Sequence, residues 1–143
     1  MDINQFIEFS SNHAFLVLAF FALLAMLLGG EIRLRLSGVT DIEPVAATRM
    51  LNSQNAVLVD MRADKDYQAG HIVNAVRLTA QDNLSALEKY RNKPVIVYCN
   101  SGQKSIALCS KLRKQNFESV YNLKGGILAW QKADLPLTRK DHG

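Results

Sequence analysis

The longest apolar pattern in the chain lies at its start. Between Glu8 and Glu31 there is no formally charged residue if His13 is neutral, and the centre of this stretch, Ala14 to Leu28, consists only of Ala, Phe, Leu, Val and Met. With its flanks it comes to about 20 residues, enough to cross a bilayer core as a helix. Beyond Gly30 the pattern changes to short apolar runs alternating with amphipathic stretches. Val39 to Ile42 starts this second region. Residues 43–51 predict a helix, with Pro44 in its first turn and Val45, Met50 and Leu51 supplying apolar contacts. Residues 56–60 read as a buried strand and 64–69 as a short helix with Tyr67 turned inward. Gly70-His71-Ile72 makes a turn into a strand at 75–78. Leu84, Leu87 and Tyr90 suggest a helix capped by Asn83 or Asp82. Pro94 opens the strand Val95-Ile96-Val97-Tyr98 without breaking it. From about Lys104, Ile106, Leu108, Cys109 and Leu112 share a helical face, opposite Lys111, Arg113 and Lys114. A strand at 119–123 and a helix at 126–133 complete the pattern.

Strands alternating with helices mean an α/β domain, built on a mainly parallel sheet with helices on both faces. A chain of 143 residues suits one such domain with some left over. The expected organisation is a short N-terminal segment at 1–13, a transmembrane helix at 14–30, a basic linker at 31–38, the α/β domain at 39–137 and a polar tail at 138–143.

Charge decides how the first helix is read. A cleaved signal peptide carries a basic n-region, whereas residues 1–13 hold Asp2 and Glu8 and no lysine or arginine, which favours an uncleaved anchor. Arg33 and Arg35 follow the apolar stretch and no side-chain cation precedes it, so the positive-inside rule places the C-terminal domain in the cytoplasm. All 17 basic side chains but only 11 acidic ones follow Gly30, leaving that domain at about +6. Such a surface suits anionic lipid headgroups or acidic partners. The basic residues are scattered and no nucleic-acid motif is present, so no nucleic-acid partner is expected.

The candidate chemistry centres on Cys99. It falls where a strand ends and a helix begins, a place with free backbone N–H groups and a partial positive charge. A cysteine there has a lowered pKa and a larger thiolate fraction. Gly102 can turn several N–H groups into one concavity, and Lys104 adds a full charge. Asn100, Ser101, Gly102, Gln103 and Lys104 thus form a cradle for an anionic sulfur species, with Ser105 as a supporting residue. The second cysteine, Cys109, reads as a core residue. If both lay along one helix, ten residues at 1.5 Å would separate them by about 15 Å, too far to bridge. Free thiols suit a reducing compartment.

Cys99-x-x-Gly102-x-Lys104-Ser105 between a strand and a helix resembles the active-site loop of single-domain rhodanese-like sulfurtransferases. Leu58-Val59-Asp60-Met61-Arg62, Asp66-Tyr67 and Gly70-His71-Ile72 resemble the family's first signature, and Leu123-Lys124-Gly125-Gly126-Ile127-Leu128-Ala129-Trp130 its closing one. With the apolar helix, the chain resembles bacterial membrane-anchored proteins of this family, which implies a single-pass protein of the inner (plasma) membrane. The resemblance implies transfer of sulfane sulfur from a donor such as thiosulfate or a persulfide, through a persulfide on Cys99, to a thiol or cyanide. No metal and no cofactor are implied. Membrane-protein partners are open to it, and the alternative reading is a tethered adaptor or sulfur-carrier module with little turnover.

The family often has arginine where this chain has Lys104, and lysine keeps the charge without the two-pronged grip on an oxyanion. Asn74 stands where glycine is common, and asparagine tolerates left-handed backbone angles. Phosphatase and arsenate-reductase loops in related folds are typically one residue longer, with arginine in the sixth place after the cysteine. Here the cation is in the fifth place and Ser105 in the sixth. Asp60 and Arg62 read as a supporting pair that holds loops at the same face, with room for Arg62 near substrate. His71 reads as structural rather than as a general base, and Tyr67 and Trp130 as core or rim aromatics.

Overall fold

A computed structural model describes residues 2–79 and 82–139. The chain divides into two compact units, residues 1–36 and 37–143.

The first unit is helical. Helix α1 (Ile3–Asn12) occupies most of the segment expected as a short N-terminal stretch. Helix α2 (Ala14–Ser37) follows, with a mean hydropathy of 2.4 over its most apolar window and none of that window buried. Its 24 residues make a rod of about 36 Å, longer than a hydrocarbon core of about 30 Å. One N-terminal helix is therefore long and apolar enough to cross a membrane, a property that an anchor and a signal sequence share. The linker expected at 31–38 is not an irregular segment, because α2 continues to Ser37 and carries an Arg35–Glu31 ion pair one turn apart.

The second unit is the α/β domain. Its sheet has five strands in the order β1-β6-β5-β2-β4, every pair parallel: β1 (Thr40–Ile42), β2 (Val57–Asp60), β4 (Val76–Arg77), β5 (Val95–Tyr98) and β6 (Val120–Leu123). In the central pairing Val57 stands opposite Val95 and Asp60 opposite Tyr98. All four residues of β5 are fully buried. Successive strand side chains point to opposite faces, so both faces of the sheet are covered. Ile96 and Tyr98 join a cluster with Ala47, Ile127 and Trp130. These come from α3 (Pro44–Ser53) and α6 (Gly126–Lys132). Helix α5 (Ser105–Lys114) packs on β5 and β6 and buries Ile106, Leu108, Cys109 and Leu112.

Three expectations need correction. Gly70-His71-Ile72 is not only a turn after α4 (Asp64–Ala69), since His71–Ile72 form strand β3, antiparallel to β7 (Leu137–Thr138). Thr138 thus belongs to the domain rather than to the tail, and residues 140–143 of that tail lie outside the described residues. The helix expected around Leu84 is a 3-10 helix, Leu84–Tyr90, in which the Asn83 side chain accepts from Ser85 N–H. The Asp82 carboxylate instead accepts from Thr79 N–H at 2.8 Å.

Candidate active site

β5 ends at Tyr98 and α5 begins at Ser105, so residues 99–104 form a loop between a buried strand and a helix start. The Gly102 N–H donates to the Cys99 sulfur at 3.1 Å, and the Ser105 hydroxyl lies 3.3 Å from it. Burial alone raises the pKa of a thiol. The Ser105 hydroxyl and the N–H groups of Ser105, Gly102 and Ser101 outweigh that penalty and hold Cys99 below the ordinary thiol value. The cradle is therefore backbone and one hydroxyl. The side chains of Asn100, Ser101, Gln103 and Lys104 are exposed, and none of them reaches the sulfur.

The loop keeps this shape because it rests on the start of α6. Ile127 N–H donates to Cys99 O at 2.9 Å and Leu128 N–H to Asn100 O at 3.3 Å. Such contact leaves no room for side chains. A Cβ on Gly102, whose φ is +87°, would stand 2.9 Å from Gly125 N, and one on Gly126 would stand 2.6 Å from Asn100 O. Gly126 therefore does more than open the last helix: it lets the cysteine loop seat there, whereas a Cβ on Gly125 would meet Ala129.

Asn122 is the residue the sequence did not single out. It lies on β6 and is 1% exposed. Its Nδ2 donates to Gly102 O at 2.9 Å and to Asp41 Oδ1 at 2.8 Å, and its Oδ1 accepts from the Ser105 hydroxyl. The signal available was a carboxamide among Val120, Tyr121 and Leu123. A buried polar side chain in an apolar strand needs partners.

Asp60 and Arg62 come together as expected. Asp60 is fully buried, and its carboxylate accepts from Arg62 N–H at 2.9 Å, from Nε at 3.0 Å and from Nη2 at 2.8 Å. The Tyr98 hydroxyl also donates to it, at 2.7 Å, and accepts from Ile72 N–H at 3.2 Å. Nη2 of Arg62 further reaches Gly70 O at 2.6 Å. Burial disfavours the guanidinium charge, but the hydrogen bond and charge of Asp60 more than restore it and raise its pKa. Burial and the Asp60 charge push the Tyr98 phenol up, so it stays a donor. This network ties the ends of β2 and β5 to the loop before β3. It makes no contact with the Cys99 sulfur, although Arg62 and Asn100 both line a cleft of about 480 Å³ with Gly70, Leu128, Gln131 and Arg139.

His71 is structural in its contacts. Its Nδ1 lies 2.7 Å from Tyr67 O and its ring stacks on Tyr67 at 3.8 Å. Tyr67 donates to Ala75 O, and Trp130 is buried with its indole N–H on Pro136 O. Asn74 adopts φ +64°, the left-handed angle anticipated for it. Cys109 sits on α5 while Cys99 precedes that helix, so a separation measured along one helix does not apply. The Cys109 thiol feels the charge of Cys99.

The fold and loop agree with comparisons to known proteins. The family described as Rhodanese-like domain matches residues 43–133. Uncharacterized protein YibN of Escherichia coli (strain K12) is 34% identical over 140 residues, 95% of this chain and 98% of that protein, a match too long to be confined to the domain. Thiosulfate sulfurtransferase GlpE of Vibrio cholerae is 37% identical over 97 residues, 67% of this chain and 92% of that protein. Among solved structures, a thiosulfate sulfurtransferase from Pseudomonas aeruginosa superposes with a TM-score of 0.66 at 22% identity, over 73% of this chain and 20% of that one. The chain belongs to the rhodanese-like domain family.

Proposed function

We propose that this protein is a sulfurtransferase that carries sulfane sulfur as a persulfide on Cys99. One observation carries the reading: the Gly102 N–H and the Ser105 hydroxyl meet a single buried sulfur at 3.1 and 3.3 Å, in surroundings that lower its pKa. The thiolate attacks the outer sulfur of thiosulfate, a new S–S bond forms, and the old one breaks with its electron pair leaving on sulfite. The persulfide anion rests against the N–H groups of Ser101, Gly102 and Ser105, as an oxyanion does in a hole of fixed donors. A thiol or cyanide then attacks the outer sulfur and Cys99 leaves as thiolate. Lys104, exposed at the loop, supplies a point charge to an incoming anionic donor, and Asp60 and Arg62 hold the scaffold beneath. In this reading 39–138 is the working domain, and 14–30 anchors it in the bacterial plasma membrane. Arg33 and Arg35 then keep the domain on the cytoplasmic side.

The test uses the full chain in detergent beside its Cys99→Ser variant. Each is mixed with thiosulfate, and intact masses are recorded before and after cyanide. Gain of one sulfur atom by the wild type alone, released as thiocyanate, is the expected result. Failure to load sulfur from thiosulfate or from a small persulfide sinks the proposal and leaves a tethered adaptor as the reading.

A further inference from the structure

The donors around Asn122 do not suffice for every acceptor they face. Both hydrogens of its Nδ2 are committed, to Gly102 O and to Asp41 Oδ1. This fixes the orientation of the carboxamide and turns Oδ1 toward Ser105 as a pure acceptor. The Ser105 hydroxyl has one proton and gives it to that oxygen. Its lone pairs then face the Cys99 sulfur, which as a thiol donates S–H to them. A thiolate has no proton to give. To hydrogen-bond the thiolate, Ser105 must turn its proton from Asn122 to sulfur and leave a buried carbonyl oxygen without a donor. The sulfur and Asn122 compete for one proton.

We infer that Asn122 is a positioning residue that tunes the protonation of Cys99 by competing with the sulfur for the Ser105 hydroxyl proton, which reaches the thiolate only when the Asn122 carbonyl gives it up. Other titratable or charged groups on the elements around the loop are Lys104 within it, Tyr98 on β5, Cys109, Lys111, Arg113 and Lys114 on α5, Tyr121 on β6, Lys132 on α6 and Asp41 on β1. The paired Asp60 and Arg62 stand at the end of β2, and Lys124, paired with Glu43, follows β6. None of these lies between Ser105 and the sulfur. Asp41 bears on the Ser105–Cys99 pair through Asn122, by fixing which way the carboxamide points.

The inference rests on reading Cys99 as the nucleophile, but its test reads protonation rather than sulfur transfer, so the two fail separately. The rate of Cys99 alkylation by iodoacetamide is followed against pH for the full chain in detergent, with the modified site identified by peptide mass. Asn122→Leu removes the competing acceptor and keeps the side-chain volume. It is expected to lower the apparent pKa by about one unit, an increase in thiolate of about tenfold at pH values below both midpoints. Ser105→Ala is expected to raise it. In the Ser105→Ala background Asn122→Leu then has no further effect, because the shared proton is gone. Asn122→Val, which suits a strand, replaces the leucine variant if that one does not fold by circular dichroism. A rise in pKa on replacing Asn122, no change, or an equal shift with and without Ser105 overturns the inference. The last result would assign Asn122 to holding the loop through Gly102 O alone.

Discussion

Cys99 and Cys109 are the same side chain in nearly the same degree of burial, 4% and 0% exposed, and their acidities move in opposite directions. Cys109 lies in the second turn of α5, where backbone N–H groups are spent on the helix's own hydrogen bonds. Its sulfur donates to an acceptor, Tyr121 O at 3.5 Å. Burial, then the charges of Asp41 and Cys99, push its pKa up. Cys99 lies just ahead of the same helix, where the N–H groups are free and turned toward it. Burial makes a thiol inert unless donors come with it, and a helix offers donors only at its start.

The sharpest break between the two sulfurs is chemical. Cys99→Ser is expected to abolish sulfur loading entirely, while Cys109→Ala leaves loading intact and costs only packing. Loading that follows Cys109 instead would reverse the comparison. Next in size is a change that strikes the scaffold and spares the sulfur. Asp60→Asn leaves the Arg62 guanidinium buried without its counter-charge, a loss of about 3–5 kcal/mol in unfolding free energy. The alkylation midpoint of Cys99 should hold in the fraction that remains folded, because the Asp60 network makes no contact with that sulfur. A smaller loss is expected from Gly102→Ala. A left-handed φ and a Cβ 2.9 Å from Gly125 N cost about 1–3 kcal/mol. The displaced Gly102 N–H should raise the Cys99 midpoint toward the Cys109 value. An unchanged midpoint would mean that the Gly102 donor contributes nothing.

Much of this contrast was legible in the sequence, and the limit has a physical cause. A strand of Val, Ile, Val and Tyr followed by Cys, Gly and a helical pattern locates the nucleophile at a strand end, because local periodicity and turn chemistry act over a few residues. The Asp60–Arg62 pair is also local, two residues apart. What escaped is set by long-range contacts. Asn122 is 17 residues from Ser105 and 81 from Asp41 along the chain, and they meet only when β6 inserts between β5 and β1. Tyr98 finds Asp60 across 38 residues through the β2–β5 register. The β3–β7 pairing was missed for the same reason, since two residues carry no periodicity and their partner lies at the far end of the domain. A cradle of backbone N–H groups was legible too, because a glycine and a helix start turn such groups inward, whereas the donor that meets the sulfur, Gly102 N–H, is fixed by how the loop seats on α6.

The smallest effect comes from linkage between acidity and stability. A thiol has a pKa of about 8.5 when unfolded. Cys109 is raised above that value in the folded state, so its contribution is fully present below about pH 8.5 and is lost as pH rises further. The loss is about 1.4 kcal/mol per pH unit. Cys99 is depressed, so its contribution is present above the unfolded pKa and is lost as pH falls through the folded one. The two cysteines therefore give slopes of opposite sign on either side of the unfolded value. Thermal unfolding of the full chain in detergent, under reducing conditions from about pH 7 to about pH 10, should separate them. Cys109→Ala is expected to flatten the alkaline decline, and Cys99→Ser to flatten the rise that precedes it. If Cys109→Ala leaves the alkaline slope as it was, the buried thiol is not what resists ionisation, and the contrast between the two sulfurs reduces to access alone.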